Sequence, residues 1–104
     1  MPGSRSRLPE RSVLVLTSLA GGDKHGYALI KDIEAFSGLT LGPGTLYGAL
    51  ARLERDGLVE AQPAVDRRHP YTITAEGRRR LHEHLSESAR IAAFGLDRIA
   101  MEGT

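Results

Sequence analysis

The chain contains no cysteine, which excludes a disulfide framework and a thiolate metal site and leaves a reducing compartment open to it. It also lacks any apolar run approaching the ~20 residues of a membrane-spanning helix. Met1 to Leu8 holds Arg5 and Arg7 but precedes neither a long apolar stretch nor a small-residue cleavage site, so it does not read as a signal peptide. These absences together predict a cytoplasmic protein. Aromatic residues are only 5 % of the chain, too few for the stacking platforms that hold single-stranded RNA. An excess of one charge is missing as well. The formal net charge is +1, so composition alone does not announce a nucleic-acid partner, and the distribution of charge has to carry that argument.

The marks of an enzyme are equally scarce. His25, His69, His82 and His84 are the histidines, and the last two, two apart on a predicted helix, face different sides and cannot share a metal on one helical face. No nucleophile-and-base motif is present, and Gly42-Pro43-Gly44 lacks the lysine and the preceding strand of a phosphate-binding loop. The sequence therefore predicts no catalysis, no metal and no cofactor.

What remains is ordinary globular composition, 40 % hydrophobic and 26 % charged over 104 residues. That is one small domain with little stability to spare, which an oligomer would supplement. Of its 14 basic residues 12 are arginine, the side chain suited to bidentate phosphate and guanine contacts. A G+C-rich genome would produce the same bias.

Small polar residues and two arginines make residues 1–7 a predicted mobile basic arm. From Pro9 to Ala20, Leu8, Ser12, Leu16 and Leu19 fall at helical intervals and Gly21-Gly22-Asp23 closes the segment, which predicts a buried first helix. Tyr27 to Ser37 sets Leu29, Ile30, Ile33 and Phe36 on one side and Lys31, Asp32 and Glu34 on the other, with Gly38 as its stop. After Leu39-Thr40-Leu41, Gly42 can cap a third helix and Pro43 takes the first helical position it favours. Leu46, Leu50 and Leu53 then share a face through Asp56, and Gly57 ends the helix. Leu58 to Val65 and Tyr71 to Thr74 carry β-branched and aromatic residues either side of Asp66-Arg67-Arg68-His69-Pro70, a hairpin with a basic tip. From Thr74, a good cap, a fourth helix places Leu81, Leu85, Ala89, Ala92, Leu96 and Ile99 at intervals of three and four.

The fold class predicted is mainly α with a small β-hairpin: a winged helix-turn-helix over residues 8–74 and a C-terminal dimerisation helix over 75–104. Its second motif helix, Pro43 to Asp56, would enter a DNA major groove. Thr40, Gly42, Pro43 and Gly44 lie at its head, where free N–H groups favour phosphate. With the leucines inward, Thr45, Gly48, Ala49 and Arg52 are expected to point outward and Tyr47 to lie on the flank. Arg52 is suited to guanine, to phosphate or to an ion pair with Asp56. The Tyr47 ring could donate its hydroxyl to DNA or pack with that hydroxyl at the surface. Arg67, Arg68 and His69 sit where a wing tip reaches phosphates or the minor groove, while Arg78-Arg79-Arg80 fall on successive helix faces and cannot all do so. The apolar stripe of the last helix runs far past what a small winged domain can cover, which predicts a homodimer through Leu81, Leu85, Ala89, Ala92, Leu96 and Ile99. Gly95 interrupts the stripe and predicts a kink there or fraying beyond.

At this point the chain resembles the PadR-type transcriptional regulators, in their short form with a single C-terminal helix. The matching residues are His25-Gly26-Tyr27-Ala28-Leu29-Ile30, Gly42-Pro43-Gly44-Thr45-Leu46-Tyr47 with Leu50 and Leu53, Asp56-Gly57-Leu58-Val59, and Tyr71-Thr72-Ile73-Thr74-Ala75-Glu76-Gly77. The resemblance covers roughly residues 8 to 85. It implies a winged-helix dimer that represses genes from a palindromic operator on double-stranded DNA, often released by a small apolar or phenolic effector. In such proteins the last helices can enclose an apolar pocket, for which Ala89, Ala92, Ala93 and Phe94 are the candidates here. Two departures stand out: the family usually has serine at Gly42, and its wing often holds two aromatics and an arginine where this chain has Pro70, Tyr71 and Thr72. A winged helix used as a protein-interaction module is the rival reading. Salt separates the two, since neutralised phosphates release counterions and an apolar protein interface does not.

Overall fold

In the computed structural model, which describes residues 7–102, three helices are followed by a hairpin and one long helix: α1 (Glu10–Ala20), α2 (Gly26–Ser37), α3 (Pro43–Arg55), β1 (Val59–Ala61), β2 (Tyr71–Ile73) and α4 (Ala75–Glu102). The basic arm expected over residues 1–7 lies outside the described residues except for Arg7.

The core is the meeting point of the three apolar faces read from the sequence. Val15, Leu16 and Leu19 of α1, Leu29 and Ile33 of α2, and Leu46, Leu50 and Leu53 of α3 are all essentially inaccessible to solvent. Leu58, Val59 and Ile73 close it from the hairpin, and Leu81 from α4. Two polar side chains are buried on α1, Ser12 and Ser18. Ser18 donates its hydroxyl to Asp32 Oδ2 at 2.5 Å. Lys24 Nζ donates to the Ser18 carbonyl at 2.6 Å, which satisfies one of the last carbonyls of α1 with a cation, the sign that a helix carboxyl end favours.

Helix ends are set by identifiable devices. The His25 side chain caps α2, and Gly38, left-handed, ends it with its N–H on the Glu34 carbonyl. At the far end of α3 the N–H of Gly57 meets the Glu54 carbonyl at 3.1 Å and that of Leu58 meets Leu53 at 2.9 Å. This Schellman closure requires the left-handed residue that Gly57, φ 77°, supplies. The turn feeds Leu58 and Val59 straight back into the core.

β1 and β2 pair antiparallel in the register Val59↔Ile73, Glu60↔Thr72 and Ala61↔Tyr71. The strand predicted over Leu58–Val65 is cut to Val59–Ala61, because Pro63 has no N–H to continue the ladder. The free edge of β2 is covered by a feature no sequence pattern announced: Lys24 exchanges both backbone hydrogen bonds with Tyr71, at 3.2 and 2.8 Å. This clips the α1–α2 connection onto the wing.

Thr74 joins hairpin to helix. Its hydroxyl donates to the Gly57 carbonyl at 2.8 Å and accepts the Gly77 N–H at 3.0 Å. Gly77 is buried under Leu58, whose carbonyl oxygen a Cβ at Gly77 would overlap. Glycine is therefore the residue that lets α4 leave the hairpin at this angle. Only the first turns of α4 are buried, at Gly77 and Leu81, where the helix packs on α1. The rest projects from the domain and accounts for a longest dimension of 58 Å. The helix is continuous through Gly95 to Glu102, and nothing crowds Gly95.

Two placements correct the sequence reading. Phe36, expected on the buried face of α2, is 47 % exposed, because it lies in the last turn, past the reach of the elements that cover Leu29 and Ile33. Leu81, expected at a dimer interface, is spent in the chain's own core.

Candidate nucleic-acid interface

Around α3 the buried leucines occupy one side, and the helical repeat of ~100° per residue puts Gly44, Gly48 and Ala51 opposite them. All three are exposed. Ala49, expected to point outward, is instead half-buried against the core, and Ala51 holds the outward position. Tyr47 flanks this small-residue face on one side, Thr45 and Arg52 on the other.

Each flank opens into a cleft. Between α1 and α3 a cleft of about 300 Å³ is lined by Thr45, Gly44, Gly48 and Arg52 together with Arg11 and Ser12. Arg52 makes no ion pair among the described residues, with Asp56 or any other acid. Arg11 escaped the sequence reading because α1 was read only for its buried face. The available signal was its place in the first turn of a helix whose core residues begin at Ser12.

On the other flank a cleft of about 340 Å³ lies between the start of α2, α3 and the wing, lined by His25, Tyr47, Arg67, Arg68, His69 and Tyr71 among others. The Tyr47 hydroxyl sits against Gly26, where any Cβ would overlap it. Two of the motifs noted in the sequence are thus one contact, and Gly26 is the residue that lets Tyr47 lie there. Burial, and secondarily the neighbouring Tyr47 and Glu54, push the Tyr71 phenol above its ordinary range.

The wing tip turns on Asp66 and Arg67, both left-handed at φ 51° and 68°, between Val65 and Arg68, which exchange hydrogen bonds of 2.7 and 3.0 Å. Two positive φ values at the centre of a two-residue turn define type I′, the form that matches strand twist. Holding arginine there costs about 1 kcal/mol that glycine would not incur. Arg67, Arg68 and His69 are exposed as expected. His69 Nδ1–H donates to the Gln62 carbonyl at 3.1 Å, bracing the two arms, and Arg68 turns back toward His25 at 3.5 Å.

The other candidates are placed more loosely. Gly42 and Pro43 form the exposed head of α3. Thr40 lies before it and donates its hydroxyl to Glu34 at 2.8 Å. Arg79 is held on α4 between Glu76 and Glu83, which removes it from the basic face and lowers the Glu76 carboxyl below its ordinary range through the Arg79 hydrogen bond. On α4, Leu85, Leu96 and Ile99 are 41 %, 67 % and 67 % exposed, and Ala89, Ala92 and Ala93 are also open. Phe94 points roughly 200° away from Ala92 around the helix, beneath the Arg98 guanidinium at 4.5 Å. It does not share a face with the alanines. No group of three or more His, Asp or Glu side chains among the described residues could hold a metal ion, and no helix there is long and apolar enough to cross a membrane.

Comparison with known proteins bears on the same elements. The chain is 44 % identical over 86 residues to an uncharacterized 37.1 kDa protein in transposon Tn4556 of Streptomyces fradiae, a match covering 83 % of this chain and 25 % of that protein. The chain thus spans about a quarter of that relative's length. It is 38 % identical over 96 residues to the transcriptional regulator Rv3488 of Mycobacterium tuberculosis, with 86 % and 89 % of the two chains covered. Its fold superposes on a PadR family transcription regulator of Clostridium difficile with a TM-score of 0.79 at 25 % identity, covering 88 % of this chain and 99 % of that one. The model of the transcriptional regulator PadR-like family matches residues 15–83, from the core of α1 through the first turns of α4. A winged helix with these four motifs in this order, and relatives that are transcriptional regulators, make this chain a member of the PadR-like family.

Proposed function

We propose that the chain binds duplex DNA sequence-specifically as a homodimer and represses transcription from a palindromic operator. One observation carries the DNA reading. Gly44 and Gly48 stand on the exposed face of α3, and a Cβ at either would meet nothing in the chain. Glycine in a helix interior, as at Gly48, costs about 1 kcal/mol relative to alanine, yet neither position needs it for packing or for its backbone angles. The open face is what gains: its backbone can approach base edges in the major groove, with Thr45, Tyr47 and Arg52 beside it. Arg67, Arg68 and Arg11 then flank the groove and meet phosphates.

The outer part of α4 supplies the dimer. Leu85, Ala89, Ala92, Leu96 and Ile99 follow a heptad-like spacing, and too little else in the chain covers them. For the two copies of α3 to meet successive major grooves, this pairing has to hold them about 34 Å apart, one turn of DNA. An apolar effector is assigned to the same seam, over Ala89, Ala92 and Ala93 between the two copies, with Phe94 outside it.

Selection from a random duplex library tests this reading. Enrichment of a two-fold symmetric site with half-sites about a helical turn apart is the expected result; no enrichment at low salt would sink it. Gly48→Ala sharpens the test. It is expected to raise stability by up to about 1 kcal/mol while weakening binding to the selected site, two effects in opposite directions that a merely structural glycine would not give.

A further inference from the structure

We infer that the cleft between the start of α2 and the wing seats one backbone phosphate of bound duplex DNA, shared by His25 Nε2 and Arg68. The inference rests on the DNA-binding reading above and adds to it a residue that neither the motif nor the groove geometry had placed on DNA.

The His25 imidazole makes two contacts that conflict. His25 Nδ1 lies 3.4 Å from the Ala28 backbone N–H, and Nε2 lies 3.5 Å from Arg68 Nη1. A backbone N–H and a guanidinium can only donate. Neutral imidazole has one acceptor nitrogen and its cation none, so the two contacts cannot both be hydrogen bonds. The cap of α2 engages Nδ1 as the acceptor, which places the proton on Nε2. Nε2–H and the Arg68 guanidinium are then two donors 3.5 Å apart with no acceptor between them.

Their surroundings define what completes the pair. The cleft of about 340 Å³ that they border is lined by Arg67, His69 and the phenols of Tyr47 and Tyr71, and by no aspartate or glutamate. His25 and Arg68 also border a second recess, which Asp66 lines, but among the described residues Asp66 makes no ion pair with Arg68. A phosphodiester carries two acceptor oxygens and one negative charge, so it can take both donors at once through charge-assisted bonds. The cleft joins α3, through Tyr47, to the wing, through Arg67 and Arg68. A duplex lying across those two elements must carry its backbone over this point.

The test uses the full chain, a labelled short duplex of random sequence, and a salt series. His25→Asn keeps a side-chain acceptor at the cap, where asparagine is a favoured residue, and removes the Nε2 donor. It is expected to weaken binding about three- to tenfold with the thermal midpoint and the salt slope unchanged, since a neutral donor releases no counterion. Arg68→Gln is expected to flatten the salt slope by about 0.9 for each phosphate it had neutralised. The double variant should lose less than the product of the two single losses, because both donors serve one phosphate. Nitrogen chemical shifts of the His25 ring in the free protein should show Nε2 protonated and Nδ1 bare. Unchanged affinity in His25→Asn, losses that multiply, or the opposite tautomer would overturn the shared phosphate and leave the DNA reading standing. A wild-type chain that binds no duplex at low salt would overturn the DNA reading and this inference with it.

Discussion

The winged unit and the projecting part of α4 are written in the same apolar periodicity and end in opposite environments. Leu46, Leu50 and Leu53 on α3 are all at most 1 % exposed, whereas Leu96 and Ile99 on α4 are each 67 % exposed. Spacing of three and four tells which way side chains point on a helix; it does not tell whether anything of the same chain stands opposite. In the winged unit each face meets two others. Past the first turns of α4 the stripe at Leu85, Leu96 and Ile99 is left exposed among the described residues, open to a second copy.

Paired truncations break this comparison most forcefully. Leu50→Ala removes a fully buried side chain and is expected to cost 2–5 kcal/mol, about the cavity-forming range, at any protein concentration. Leu96→Ala is expected to leave the unfolding of dilute chain almost unchanged and to shift association instead. Denaturant titration and sedimentation over a concentration series separate the two. A large loss for Leu96→Ala in dilute monomer would show that α4 is covered by its own chain.

The same contrast explains how much could be read in advance. α3 was legible end to end, because Gly42-Pro43 marks its start, three leucines its face and Gly57 its stop, and all of these act locally. The dual role of Thr74 was half legible: its capping of α4 is local, its bond to the Gly57 carbonyl is not. Phe36 misled because it continues the periodicity of α2 one turn past the last covering element. The Lys24–Tyr71 bridge was illegible, since one residue pair 47 positions apart leaves no periodic trace. The candidate residues on α3 and the wing tip could be named from the sequence, but not the two clefts that they line. Arg11 and His25 enter those clefts through the tertiary packing of α1 and α2, and His25 had been weighed only as part of a motif and as a metal ligand.

Two glycines of α4 carry the comparison inside one helix. At Gly77 a Cβ would overlap the Leu58 carbonyl, and backbone cannot step aside as a flexible side chain can. Gly77→Ala is therefore expected to cost about 1–3 kcal/mol, as overpacking does. At Gly95 nothing lies within reach of an added Cβ, and Gly95→Ala should stabilise the helix by up to about 1 kcal/mol. Thermal unfolding of both variants checks the opposite signs. A destabilising Gly95→Ala would mean that another chain packs against that point.

Titration gives a finer contrast between a half-buried group and an open one. The Tyr71 phenol is raised above its ordinary value of 10.0, first by burial and then by Tyr47 and Glu54. A group whose folded pKa is raised contributes stability that is fully present below the unfolded value and is lost as pH rises through the folded value. Stability is thus expected to fall on the alkaline side of pH 10, with the wing opening first. Tyr71→Phe should flatten that limb while leaving neutral-pH stability near wild type; an identical alkaline limb would show that burial does not raise the Tyr71 phenol.

Glu76 is the open counterpart, and its effect is expected to be the smallest. Its hydrogen bond to Arg79, at 3.0 Å from Nε, lowers the carboxyl below its ordinary value of 4.5, so its stabilising contribution is present above that value and disappears as pH falls through the lowered one. Arg79 and Glu76 are both about half exposed, and exposed ion pairs on a helix are screened by salt and by solvent. Glu76→Gln is accordingly expected to cause a small fall in thermal midpoint at neutral pH and low salt, and none in acid or at high salt. Because Glu76 lies in the first turn of α4, where a negative charge also favours the helix start, Arg79→Gln separates the two terms when all variants are compared in a Glu83→Gln background, which removes the other partner of Arg79. A fall in both variants assigns the effect to the ion pair, and a fall in Glu76→Gln alone assigns it to the helix end.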